Sequence, residues 1–136
     1  MTNGEPIEGY LRSEEPPDDA VVVVRGGPIA ADKIVEHASR QAREYTFRGS
    51  PMYSISVSLT VDGWDLPALL AGPLSSRSTY AVSTAGAVRE AGFTLLPTYD
   101  APHYDLLLAT GEYPEAKRLL SLFSSAEPNS YKRRGR

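Results

Sequence analysis

YSISVSLTV, residues 53–61, decides how the rest of this chain is read. Tyr53, Ile55, Val57, Leu59 and Val61 alternate without a break with Ser54, Ser56, Ser58 and Thr60. Successive side chains of an extended chain leave on opposite faces. The alternation therefore predicts a strand with an apolar face on a core and a hydroxyl face turned to solvent or to a cleft. Asp62-Gly63 closes it as a turn.

Upstream, four valines occupy residues 21–24. A strand over 20–25 with no polar face must be covered on both sides, so it reads as central. Arg25-Gly26-Gly27-Pro28 breaks it, and Pro28 suits the first turn of a helix over 29–45. Ile34, Ala38, Ala42 and Tyr45 form the apolar stripe of that helix. Asp32, Glu36, Arg40 and Glu44 line the opposite side, with Glu36 and Arg40 spaced for an ion pair.

Downstream, Asp65 can cap a helix over 66–71 that Gly72-Pro73 ends. A strand over 79–82 leads to Ser83 or Thr84, either of which can cap a short helix through Ala91. Strands over 93–96 and 104–109 follow. Thr110 then caps a last helix over 112–123, with Pro114 in its first turn. The order is β-α-β-α-β-α-β-β-α. It predicts a single α+β or α/β domain with a mixed five-stranded sheet packed by helices. A ferredoxin-like sandwich fits this order, and so does an irregular α+β fold of the small toxin type.

The 136 residues suffice for one domain, and 41% hydrophobic against 23% charged content is ordinary for a globular core. There is no cysteine, which excludes disulfides, thiol catalysis and Cys-ligated zinc. The acidic start has no apolar signal-peptide core, and no run is long enough to span a membrane. The expectation is a soluble cytoplasmic protein.

The net charge of −3 is unevenly spread. Residues 1–20 hold six acids against Arg12, and Lys132, Arg133, Arg134 and Arg136 make the end basic. Residues 1–19 read as a disordered acidic arm, 20–125 as the globular domain, and 126–136 as a disordered basic tail.

His103, between Pro102 and a Tyr-Asp pair, is the leading candidate for chemistry. Imidazole titrates near neutrality, as a general acid or base must. Asp105 would share a strand face with His103 and could orient or charge the ring. Arg25, beside two glycines and a helix start, could build an anion pocket. Arg77 lies in a hydroxyl-rich loop as a possible substrate contact. His37 reads as a packing residue, and two histidines without cysteine give no zinc spacing, so neither metal nor cofactor is expected.

These residues suit a metal-independent ribonuclease of a toxin–antitoxin system acting on RNA or a nucleotide. His103 would move the proton, with Asp105 and Arg25 as its catalytic partners. Arg77 would hold phosphate and Tyr80 or Tyr99 would stack a base. A non-catalytic interaction module, such as an antitoxin, inhibitor or complex subunit bound to a cognate protein, is the alternative. In that case Trp64 is either a binding hot spot or a core anchor.

A third reading rests on resemblance. Arg25-Gly26, Ser83-Thr84 and an acid before the LLL run resemble the Arg, Ser-Thr-Ser and Glu elements of the ADP-ribosyltransferase superfamily. Asp105 stands where that family uses Glu, and Ala85 replaces the third residue of its middle element. The resemblance implies a transferase in which Ser83 and Thr84 bind substrate.

Overall fold

A run of valines has no side to offer water, and the chain answers by putting it in the middle. The computed structural model describes residues 4–26 and 29–131. In chain order the elements are β1 (Glu5–Pro6), a 3₁₀ turn (Ile7–Tyr10), β2 (Val21–Arg25), α1 (Ala31–Glu44), β3 (Tyr45–Phe47), β4 (Ser50–Pro51), β5 (Ser54–Leu59), α2 (Leu66–Ala71), β6 (Thr79–Thr84), α3 (Ala85–Glu90), β7 (Thr94–Pro97), β8 (His103–Leu107), α4 (Tyr113–Leu120) and β9 (Glu127–Pro128). β2 lies inside a six-stranded sheet of order β7-β8-β5-β2-β6-β9, while β1, β3 and β4 make a small second sheet.

The valines divide between two cores. Val22 and Val24 join Ile55, Val57, Leu59, Tyr104 and Leu106 under α1 and α4, where Ile34, Ala116 and Leu119 meet them. Val23 faces the other way, onto Leu69 and Leu70 of α2 and Leu74, with Trp64 and Tyr80 packed at the edge. Trp64 is thus a core anchor. α2 has the predicted bounds, and the Asp65 carboxylate accepts from the Ala68 N–H at 2.9 Å, as an N-cap should.

The fold class is the expected one, a single α+β domain with a sheet packed by helices. The sheet itself differs from the expectation in size and direction. All five predicted strands enter it, β9 adds a sixth, and every neighbouring pair is antiparallel rather than mixed. The reason lies after α1. A β3–β4 hairpin turns the chain there, so β5 returns alongside β2 as its direct antiparallel neighbour. That adjacency departs from a ferredoxin-like order, which splits strands joined through a helix.

Both predicted arms are packed where they are described. Ile7 is fully buried with Met52 and Leu96, Leu11 bridges Thr98, and Arg89 holds Glu15 and Asp18. Charge and proline argued for disorder, but one buried isoleucine and a few ion pairs tie this segment down. At the other end β9 pairs with β6, and buried Asn129 donates to the carbonyls of Leu70, Leu74 and Arg77. The basic residues of the predicted tail, Lys132 to Arg136, lie outside the described residues, as do Gly27 and Pro28 at the predicted start of α1.

Candidate functional site

The site begins where β2 parts from β5 while running on beside β6 to Arg25. β2 and β5 pair only at Val22↔Leu59 and Val23↔Ser58, so the N-terminal half of β5 has no strand on that side. Helix α1 takes the vacant place. His37 Nε2 accepts from the Ser56 N–H at 3.3 Å, and Gln41 Nε2 donates to Ser54 Oγ and to Asp105 Oδ1. Gly26 lets the chain leave β2 closely, since a Cβ there would stand 2.7 Å from Thr79 Oγ1. The predicted hydroxyl face of β5 therefore looks into a cleft.

Across that cleft β8 presents His103 opposite Ser58 and Asp105 opposite Ser56, on one face as alternation requires. The two do not touch directly; Thr98 stands between them. The Thr98 hydroxyl has one proton and donates it to Asp105 Oδ2 at 2.7 Å. Its oxygen must therefore accept at 2.9 Å from His103 Nδ1, which also lies 3.3 Å from the Thr98 carbonyl. The proton of neutral His103 is thus on Nδ1. Nε2, on the other side of the ring, carries a lone pair with no partner among the described residues. Asp105 is fully buried, and its Oδ1 accepts from the Ser54 hydroxyl at 3.1 Å as well as from Gln41.

Burial holds the His103 pKa below its usual value, against the opposing pull of the Asp105 charge and the Thr98 carbonyl. The ring is neutral at pH 7 and ready to accept a proton. His37 is also lowered, by burial first and then by the charges of Arg40 and Arg25. A neutral His37 whose Nε2 accepts from Ser56 carries its proton on Nδ1, so its 3.5 Å approach to the Arg40 guanidinium is not a hydrogen bond. His37 pins α1 to β5.

Two cavities meet at Arg25. A recess of 130 Å³ is lined by Arg25, Ser56, Ser58, Leu74, Pro102 and His103, among others. A wider basin of 550 Å³ is walled by Arg25, Lys33, Arg40 and Arg77, with Glu36, His37 and Gln41. Glu36 pairs with Lys33, not with Arg40 as its spacing suggested. Arg25, Arg40 and Arg77 make no salt bridge among the described residues. Burial, then the charges of Arg77 and Arg40, lower the pKa of Arg25.

The predicted site residues separate into groups. His103, Asp105 and Arg25 converge, and Arg77 joins Arg25 in the basin. Tyr99 packs edge-on to His103 at 5.3 Å between ring centroids and leans on Tyr10 at 4.9 Å. Tyr80 is Arg25's cross-strand neighbour, but its ring packs at the edge of the α2 core and lines neither cavity. Ser83 and Thr84 pair with Val22 and Val21 at the far end of β6, and Thr84 caps α3 by accepting from the Ala87 N–H. The three elements that resemble ADP-ribosyltransferases therefore form no common site.

Sequence reasoning missed Thr98 and Arg12. Arg12 Nη1 donates to the carbonyls of Thr98, Tyr99 and His103 at 2.7–3.0 Å, while Nη2 binds Glu14. It clamps the loop that carries the histidine. Arg40 was also missed, although Lys33, His37 and Arg40 recur at helical spacing and mark one face of α1. Among the described residues no three His, Asp or Glu side chains group to hold a metal ion, and no helix is long and apolar enough to cross a membrane. No protein-family model, curated protein or solved structure matches this chain.

Proposed function

We propose that this chain is a small, metal-independent ribonuclease of the cytoplasm with His103 as general base. The observation that carries the reading is the Asp105–Thr98–His103 chain. It fixes one tautomer and leaves Nε2 open in a recess beside a guanidinium that has no carboxylate partner among the described residues. In the reaction, Nε2 removes the proton of a ribose 2′-hydroxyl, and the 2′-oxygen attacks the adjacent phosphorus. The bond from phosphorus to the 5′-oxygen breaks, and water protonates the leaving oxygen. The products are a 2′,3′-cyclic phosphate and a free 5′-hydroxyl. Arg25 faces the charge that grows on the phosphoryl oxygens. Asp105, acting through Thr98, steadies the imidazolium as it forms. Tyr99, 37% exposed against the His103 ring though it lines neither cavity, would stack a base.

The test is cleavage of single-stranded RNA in EDTA, with the ends of the products identified. Cyclic phosphate ends are expected, together with no cleavage where the 2′-hydroxyl at the scissile position is replaced by hydrogen. Cleavage of the deoxy position would contradict the mechanism. In a bacterial host, expression of the wild type should arrest growth, and His103→Ala, accumulating as folded protein, should not.

An interaction module is the second reading. It is favoured by Tyr10, Leu11 and Tyr99, large apolar residues left 37% exposed beside the site. Absence of both cleavage and arrest, with capture of a protein partner that Tyr99→Ala abolishes, would move the assignment there.

A further inference from the structure

The basin on the far side of Arg25 is larger than a single phosphodiester requires, and the ribonuclease reading leaves it without a task. Its walls come from three separate parts of the chain. Arg25 ends β2, Lys33 and Arg40 come from α1, and Arg77 comes from the loop between α2 and β6. That loop is itself fixed, because Asn129 binds the carbonyls of Leu70, Leu74 and Arg77. Glu36, the one carboxylate in the lining, is occupied by Lys33 at 3.5 Å. Three guanidinium groups thus share one hollow with no salt bridge of their own among the described residues, in a chain whose net charge is −3. Such an arrangement lowers stability through like-charge repulsion and is relieved by a bound anion. The anion would sit next to the His103 recess, since Arg25 lines both cavities.

Building on that reading, we propose that the basin is a second phosphate subsite, and that the substrate is a single-stranded RNA cut internally. The phosphate next to the scissile one rests among Arg25, Arg40 and Arg77. A free nucleotide or dinucleoside monophosphate fills the recess alone. The half-buried position of His103 selects a single strand. A phosphate in an A-form duplex is held in regular stacked geometry and cannot lie down in the recess, whereas an unpaired strand can bend into it.

Two substrates read this directly: a dinucleoside monophosphate, and the same dinucleotide carrying one added terminal phosphate on the side that reaches the basin. Both positions of the added phosphate, 5′ and 3′, are assayed. In the wild type the favoured position should raise kcat/KM by roughly tenfold or more, the scale of one charge-assisted contact. In Arg40→Ala that ratio should collapse toward one, while Arg40→Lys, which keeps the charge, should retain most of it. The slope of log kcat/KM against log salt for a longer single strand should shrink by about 0.7 in Arg40→Ala, as expected for one lost phosphate contact. Equal rates with and without the added phosphate at both positions would overturn the subsite while leaving the ribonuclease reading standing.

If the wild type cleaves nothing, that reading fails and the subsite is judged by binding of the same two oligonucleotides. Tighter binding of the doubly phosphorylated one, abolished in Arg40→Ala, upholds it, and equal binding removes it. Preference for a pyrophosphate-bridged dinucleotide over a single-stranded RNA would also remove the RNA assignment.

Discussion

Strands β5 and β8 have two faces, both buried in different ways. On one, Ile55, Val57, Leu59, Tyr104 and Leu106 fill the space beneath α1 and α4 by apolar packing, with one hydrogen bond at the edge, from the Tyr104 hydroxyl to Glu14. On the other, Ser54 and Asp105 are equally hidden, at 0% exposure, but a chain of hydrogen bonds through Gln41, Thr98 and His103 is what keeps them there. Apolar burial contributes about 25 cal/mol per Å². A buried polar network does little better than break even, and becomes costly once one partner is lost. Burial alone does not separate core from site. A polar network held where valine or leucine would pack is a feature that stability does not explain, and its exposed end is an imidazole nitrogen with no partner among the described residues.

The largest effect should come from cutting the apolar face. Leu106→Ala should lower unfolding free energy by about 2–5 kcal/mol while leaving RNA cleavage per folded molecule unchanged. One residue away, Asp105→Asn keeps the volume and should cost about 1–3 kcal/mol. The same change should reduce cleavage at least tenfold, because the carboxylate no longer opposes the imidazolium. Urea unfolding and initial rates on the same samples make the comparison. Equal losses of stability and activity in both variants would erase the distinction between the faces.

Arg12→Ala should cost about 2–3 kcal/mol, since one largely hidden guanidinium serves three carbonyls and Glu14. Hydrogen exchange should quicken at residues 98–103 and stay unchanged in β2. An unaltered loop would mean that the N-terminal segment only rests on the site.

The histidines add a dependence on pH. Both have folded pKa values below the ordinary 6.5, so the unfolded chain takes up protons first as the pH falls. Stability should therefore be complete above about pH 6.5 and decline below it, by at most about 1.4 kcal/mol per pH unit for each histidine. Arg40, Arg25, Asp105 and His103 set the field at His37. The slope should be smaller in His37→Gln, and unfolding midpoints at pH 7.5 and 5.5 measure it. At the small end, Ser83→Ala should change stability by no more than about 0.5 kcal/mol and leave cleavage intact, because Ser83 lies at the far end of β6.

Periodicity carried most of the fold into view. The alternation at 53–61 gave β5 both of its faces, the valine run marked β2 as central, and Asp65 announced α2. Elements of two or three residues, such as β3, β4 and β9, are too short to have a period. The antiparallel return of β5 depends on the hairpin that β3 and β4 make. In the N-terminal segment composition averages over the chain, while Ile7 and Arg12 act singly. In the site, alternation was enough to put His103 and Asp105 on one face. Thr98 joins them from a preceding loop with no periodic relation to either. Arg40 was assigned to a solvated helix face because Glu36 follows the spacing of a partner, yet Lys33 takes that partner.

The ribonuclease assignment stands or falls on His103. The most direct measurement is the single-turnover rate of single-stranded RNA cleavage in EDTA by the wild type and by His103→Gln, with urea unfolding of both. With His103 as general base, the wild type cleaves, the rate falls roughly 10²–10⁴-fold in the variant, and stability changes little. A variant that cuts as fast as the wild type would contradict it, as would a folded wild type that does not cut RNA at all.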